Sequence, residues 1–294
     1  MTVVPVQSCM RAAARLFGLG RGWLLGLALA SPHLAVQAQC SRTISMPVAP
    51  TGFNALVKGE QVQGVYPDLM RQIGERLGCD FSFPVVPRAR LALMFFDSRE
   101  ADLFLPASRT AERDRKAVFV PMLKLTPTLI TLKAGKEAPP SDVRGLLARG
   151  SWRAAVVRSY TWGDEYDALL RQLEADKRVD YVADLRTVLL MLRSGRVEFS
   201  ILPPTLLYSA VHAPGPDQEA LPQLAAIDDM RFQPLAGLPR SEVGAYLSTQ
   251  ALSPADLALL REALARSARD GSLLRSLQHY YPPEVLRADV VVGP

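Results

Sequence analysis

Between Asp102 and Pro121 the chain sets hydroxyls and guanidinium groups directly behind a short apolar run. Leu103 to Leu105 reads as a buried strand ending at Pro106, and Ser108, Arg109, Thr110, Arg113 and Arg115 follow it. A second apolar run, Val118-Phe119-Val120, is stopped by Pro121. Donors clustered just past the C-terminal end of a strand are where open α/β sheets bind ligands. Arg113 can grip a carboxylate or phosphate through two parallel N–H bonds, with Ser108 and Thr110 adding hydroxyl donors. The same stretch also reads as a polar loop with solvated arginines.

Two further groups could serve an anion. Arg88 and Arg90 fall in the first turn of a helix read from Pro87, where a cation opposes the helix dipole, so either could point across a cleft mouth. The competing reading pairs them with surface carboxylates. Ser159, Tyr160 and Thr161 precede a helix containing Leu169, Leu170 and Leu173. Hydroxyls there either serve an anion or cap the helix, and Tyr160 and Trp162 either wall a ligand or pack under the loop.

Catalytic patterns are missing from the sequence. It shows no Ser-His-Asp order, no metal-ligand spacing and no Gly-rich phosphate loop, so neither a metal nor a cofactor is expected. Its histidines are poor general bases: His212 is read in a Pro/Gly loop, His279 in a late helix, and His33 near the start of the chain.

The elements that position these residues alternate strand and helix. Thr43-Ile-Ser-Met-Pro-Val48 is a strand, followed by a turn-rich loop over 50–54 and a small hairpin over 57–62. A helix over 64–78 has Pro67 in its first turn, Leu69, Ile73 and Leu77 as an apolar stripe, and Gly78 at its end. Phe81-Ser-Phe-Pro-Val-Val86, the helix from Pro87 and the strand at 103–105 complete a β-α-β-α-β order, which predicts a parallel sheet with right-handed crossovers. Thr128 to Leu132 is another strand, and the polar stretch 133–140 is read as a crossing between lobes. A second β/α set follows: strands at 154–158, 181–183 and 199–202, with a helix over 185–193 capped by Asp184 and ended by Gly195. Pro203-Pro204 stops the last of these strands. The strand over 243–248 is expected to complete the first lobe's sheet, giving two crossings, a hinge and a cleft, and helices over 254–267 and 272–280 close the chain.

At 294 residues, with 49% hydrophobic and 21% charged residues, the chain has room for one large domain or two lobes with real cores. Residues 1–38 read as a cleaved signal peptide: Arg11, Arg15 and Arg21 precede the apolar Trp23-Leu-Leu-Gly-Leu-Ala-Leu-Ala30, and Val36-Gln37-Ala38 offers the cleavage site. The alternatives are a lipid on Cys40, which Gln39 disfavours, and a retained anchor helix. Cleavage removes three arginines and no acids, so the formal charge falls from +5 to about +2. The remaining chain shows no long Lys/Arg run and no nucleic-acid motif. Export allows oxidation, so Cys40 and Cys79, each just ahead of a strand, are expected to form a disulfide; the alternative is two unpaired thiols.

In sequence order, several marks resemble those of the bacterial extracellular solute-binding proteins of family 3, the polar-amino-acid-binding group. They are Gly64-x-x-Pro-Asp-Leu with a helix ending Arg-Leu-Gly78, the Ala101-Asp102 strand, Ser108-x-Thr110-x-x-Arg113, Val-Phe-Val-Pro121, Leu-x-Ser-Gly-Arg196-Val-Glu, and Ala-Arg-Asp270-Gly271-Ser-Leu-Leu. The resemblance covers residues 41–282. It implies a two-lobed type II periplasmic binding protein fold with mixed, mainly parallel sheets and an interlobe cleft. Lobe 1 would take residues 39–135 and 241–294, and lobe 2 residues 136–240. By the same resemblance Arg113 binds a ligand carboxylate, and Phe53 is what remains of the first loop's aromatic pair. Amino-acid binders of the family carry an acid for the ligand ammonium after the strand that corresponds to 199–202; here Pro203 and Pro204 stand there.

The leading reading is a monomeric, non-catalytic periplasmic protein that binds a small carboxylate-bearing, anionic or amino-acid-like solute and serves an inner-membrane transporter or sensor, with no nucleic acid among its partners. Arg113, Ser108, Thr110, Arg90, Phe53, Ser159, Tyr160 and Thr161 are its expected ligand contacts. The alternatives are an enzyme on the same fold, such as the related cyclohexadienyl dehydratases, or a module that contacts only proteins.

Overall fold

The computed structural model describes residues 39–135, 137–213 and 229–293. The expected leader, 1–38, lies outside them, as does 214–228 of the Pro/Gly-rich loop.

Two large apolar cores organise the chain, and a smaller third cluster around Leu91, Phe95, Phe104 and Tyr246 sits with the first. The first gathers Ile44, Leu69, Ile73, Leu103 and Met122 and, from the far end of the sequence, Val243, Ala245, Leu260 and Leu273. The second gathers Leu129, Ile130, Val156, Leu169, Val188, Phe199, Leu206 and Met230. Core membership changes between Leu125 and Leu129 and changes back between Leu235 and Val243. The first change therefore falls between Leu125 and Leu129, at Thr126-Pro127-Thr128, ahead of the polar stretch 133–140. Apolar strands flank Thr126-Pro127 on both sides, so nothing in composition marks the passage.

In the first lobe β1 (Ile44–Ser45) pairs parallel with β4 (Phe81–Ser82), and α1 (Val65–Leu77) crosses between them. Helix α1 buries Leu69, Met70 and Ile73, and Gly78 caps it in the left-handed conformation at φ 66°. The short hairpin β2 (Leu56–Lys58) and β3 (Gln61–Gln63) precedes it. Cys40 and Cys79 are joined by a disulfide, S–S 2.03 Å. The Asp102 N–H donates to the Ser45 carbonyl at 2.9 Å, which sets the lead-in to β5 (Leu103–Ser108) beside β1. The Asp102 carboxylate is buried and accepts from Arg42 and the Ser45 N–H, so its work is to anchor that junction.

The sheets are mixed. Strand β12 (Ser241–Leu247) returns from the second lobe and runs antiparallel between β5 and β6 (Val118–Leu125), so the parallel order read from the first crossovers gives way to antiparallel pairing. Both β5 and β6 run through the prolines that the sequence reading took as stops. The β12 register shifts between Gly244 and Tyr246, opposite Leu105-Pro106, and between Val243 and Gly244, opposite Pro121. A bulge relieves the ladder at the residue that has no N–H to give.

In the second lobe β10 (Ser200–Leu202) and β11 (Met230–Pro234) flank β7 (Thr128–Leu132) antiparallel, and β8 (Ala154–Val157) pairs parallel with β9 (Val179–Val182). Helix α6 (Leu185–Arg193) is capped by Asp184 as expected. After β10 the sequence reading placed a loop, but α7 (Pro204–His212) forms there with proline at its first turn. Proline suits that position because the N–H it lacks has no partner in a first turn. His212 accordingly ends a helix, its ring 4.2 Å from Tyr208. Helices α8 (Pro254–Arg269) and α9 (Ser272–Tyr280) follow the sequence reading, whereas α10 (Pro283–Asp289) and β13 (Val291–Val292) lie beyond what it assigned.

Candidate functional site

The loop after β5 is held rigidly. Thr110 caps α3 (Ala111–Asp114) by accepting the Arg113 N–H at 3.2 Å. Its own N–H donates to the Tyr246 hydroxyl, which in turn donates to Asp114 at 2.7 Å. Arg109 pairs outward with Asp114 and Glu242. Arg113 turns inward: its Nη1 donates to the Ser108 carbonyl at 2.8 Å and its guanidinium lies against the Phe96 and Phe104 rings. Burial, with the nearby Arg88 charge as a second cause, lowers the Arg113 pKa to about 10, so it is still cationic at neutral pH.

A cavity of about 60 Å³ lies between the lobes. Thr51, Asn54, Arg88 and Arg113 approach it from the first lobe and Tyr160 and Trp162 from the second. No carboxylate and no histidine stands among its described lining residues. A more open recess of about 450 Å³ adjoins it, lined by Thr110, Glu112, Ser159 and Asp167 among others. Arg113, Tyr160 and Thr161 line both spaces and form the wall between them.

The far wall is built at the start of α5 (Asp164–Ala175). Ser159 takes a left-handed conformation, φ 65°, and Gly163 follows at φ 113°, which turns the intervening aromatics inward. The Trp162 ring is buried and its Nε1 donates to the Ile201 carbonyl at 3.0 Å, with Tyr160 edge-on to it at 5.7 Å. Thr161 donates to Asp167 at 2.6 Å. Burial pushes the Tyr160 and Asp167 pKa values up, and the neighbouring arginines, Arg88 and Arg113 respectively, oppose the shifts.

The structure thus brings Arg113, Ser108, Tyr160 and Thr161 together around the cavity, with Thr110 and Ser159 on the recess. Arg90 and Phe53 stand elsewhere. Arg90 is exposed beside Glu100, at 3.8 Å, and Phe53 packs into an aromatic group with Tyr208, Tyr280 and Tyr281. Arg88 takes the place expected of Arg90. Its guanidinium lies 4.9 Å from the Tyr160 ring centroid and 5.4 Å from that of Phe104, and burial lowers its pKa. In the structure Arg88 shares a helical face with the buried Leu91 and Phe95, whereas Arg90, four residues before the buried Met94, stays exposed.

The lobes meet beside this site. The Ala111 N–H reaches the Asp164 carboxylate at 3.2 and 3.3 Å, linking the loop after β5 to the start of α5. Among the described residues no cluster of histidine, cysteine and carboxylate side chains could hold a metal ion, and no helix is long and apolar enough to cross a membrane.

The architecture matches solved structures at low identity. The solute receptor for L-cysteine of Neisseria gonorrhoeae is 16% identical with TM-score 0.61, over 83% of this chain and 94% of that one. A histidine kinase sensor domain with similarity to periplasmic binding proteins is 15% identical with TM-score 0.63, over 81% and 96%. An ancestral arginine-binding protein, bound to arginine, is 13% identical with TM-score 0.62, over 83% and 99%. No curated protein matches the sequence. The family assignment comes from the sequence itself, which matches across both lobes over residues 44–283: the chain belongs to the bacterial extracellular solute-binding proteins, family 3.

Proposed function

We propose that this solute-binding protein captures a small carboxylate-bearing or anionic solute in the interlobe cavity and presents it, as a periplasmic monomer, to an inner-membrane transporter or sensor. The observation that carries the reading is Arg113, a cation held at the cavity wall by the Ser108 carbonyl and two aromatic rings. Ser108, Thr161 and Tyr160 add hydroxyls around it, and Thr110 and Ser159 extend them into the recess. A guanidinium so placed meets a carboxylate with two parallel hydrogen bonds. The lobes we assign follow the two cores: residues 39–125 with 243–293, and 129–235. Periplasmic residence rests on the leader read over 1–38, and N-terminal sequencing of exported protein should begin at Gln39.

A non-catalytic role is supported by the cavity lining, where tyrosines are the titratable groups other than arginine. General acid–base chemistry near neutral pH usually calls on a histidine or a carboxylate. The test is Arg113→Ala, titrated calorimetrically with a carboxylate solute beside a melting curve of the same variant. Affinity should fall at least about tenfold, the equivalent of about 1.4 kcal/mol, in a protein that melts normally. Arg113→Lys should recover part of the loss, because an ammonium keeps the charge without the planar fork. Unchanged affinity in well-folded Arg113→Ala would refute the site.

A further inference from the structure

We infer that Arg88 is a second anion-binding group of the cavity, and that the solute carries two acidic groups and no ammonium. The inference rests on the Arg113 reading and extends it.

Four observations lead there. Arg88 lines the same cavity as Arg113, and both guanidinium groups contact the Phe104 ring. The Arg88 Nε is buried and finds no hydrogen-bond partner. The described lining contains no carboxylate to offset the two cations. Asp167, which lies on the recess, favours the charge on Arg113, whereas only Tyr160 does so for Arg88.

A buried cation with no counter-charge destabilises the site that holds it, and a like charge beside it adds to the cost. A ligand that brings two negative groups removes both penalties. One that brings a single carboxylate leaves one guanidinium without a negative partner inside the cavity, where only Arg113 has the recess carboxylates Asp167 and Glu112 to offset it, and an ammonium adds a third positive charge in a low-dielectric space. Where an ammonium-binding acid would follow β10, Pro203 caps the start of α7 instead. The chemistry therefore selects a short diacid over the monoacid of equal length and over the corresponding amino acid.

The test uses the straight-chain diacids from oxalate to adipate as probes, each beside its monoacid, with L-aspartate beside succinate and L-glutamate beside glutarate. Binding is read by intrinsic tryptophan fluorescence, to which the cavity-lining Trp162 contributes, and by calorimetry on the intact mature chain. At least one diacid should bind about tenfold or more tightly than its monoacid and its amino acid. Arg88→Met should lower that affinity at least tenfold and abolish the preference for the diacid over its monoacid, and Arg113→Ala should lower binding of both. Ligand-free Arg88→Met should melt at or above the wild-type temperature, since it removes an uncompensated charge; Arg88→Lys, which keeps the charge, should not. The inference fails if monoacids or amino acids bind as well as diacids, or if Arg88→Met leaves diacid binding unchanged. It also fails if Arg88→Met lowers the ligand-free melting temperature by several degrees without altering diacid preference. In each of those results, carboxylate binding that still depends on Arg113 leaves the proposed function standing. If no carboxylate binds, both readings fail.

Discussion

The guanidinium carbons of Arg88 and Arg113 both lie 5.4 Å from the centroid of the Phe104 ring. One buried aromatic side chain, from near the start of β5, therefore contacts both cations of the cavity. Contacts of this kind contribute about 0.5–1 kcal/mol at exposed sites and about 2 kcal/mol when desolvated. Phe104→Leu keeps an apolar side chain in the core but removes the π face. Binding of an anionic solute should weaken by about three- to tenfold, and the protein should still fold. Calorimetric titration of the variant decides this; wild-type affinity would show that the ring merely fills space.

The disulfide supports a separate prediction. Cys40 and Cys79 close a segment with a sequence separation of 39, and the chain-entropy treatment gives such a loop about 4 kcal/mol of stabilisation through the unfolded state. The Cys40→Ser/Cys79→Ser double variant should melt well below wild type but bind solute with near-normal affinity, because the bridge lies outside the cavity lining. Equal melting temperatures with and without the bridge would contradict the estimate.

This bond was legible in the sequence because each cysteine stands at the entrance to a strand and those strands pair. The place of Arg113 on the cavity wall was legible for a similar reason: donors following an apolar run have few places to go. Choosing between Arg88 and Arg90 required knowing which face of α2 (Arg88–Phe96) packs inward, and a run such as Leu91-Ala-Leu-Met-Phe-Phe96 is apolar on several faces at once. The prolines misled in two directions. Pro106 and Pro121 lie inside strands because β5 and β6 each carry an extra residue beside them against β12, and that relation joins segments more than 100 residues apart. Pro204 opens α7, yet Pro203-Pro204 after an apolar run equally spells a stop. Phe53 was assigned to the ligand by resemblance, but three tyrosines, two of them from the end of the chain, claim its ring.

Asp289 offers a pH-dependent prediction. It is buried at the end of α10 and accepts from the Thr126 N–H at 2.9 Å, the Thr205 N–H at 3.1 Å and the Thr205 hydroxyl at 2.6 Å, tying the first interlobe passage to α7. Burial raises its pKa above the ordinary carboxylate value, with those three donors opposing. The folded state therefore holds the proton to higher pH than the unfolded chain does. Its contribution to stability is fully present below the unfolded pKa of about 3.9 and declines as pH rises through the raised folded value. Asp289→Asn does not titrate, so the melting-temperature advantage of wild type over this variant should be largest near pH 4 and shrink toward pH 7. An advantage that grows with pH would mean that the donors outweigh burial.

Gly52 tests how the cavity closes. It sits in the turn-rich first loop at φ 55°, and a Cβ built there would clash with the Ser209 Oγ and lie 2.7 Å from the Ser209 Cβ. Ser209 belongs to α7, whose Leu206 and Leu207 pack in the second core, so the near contact spans the lobes. Gly52→Ala then does two things. It places a side chain in the left-handed region, at a cost of about 1–2 kcal/mol, and it sets a methyl group where the lobes must touch. The strain acts whether the cleft is open or closed, whereas the clash acts only on the closed form. Gly52→Ala should consequently weaken solute binding by at least about tenfold and enlarge the radius of gyration measured by X-ray scattering in the presence of solute. Adding Ser209→Gly removes both clashing atoms without touching the backbone strain, so the double variant should regain most of the affinity but none of the stability lost to the φ constraint. Wild-type affinity and radius in Gly52→Ala would show that this contact is not part of the closed form that binds.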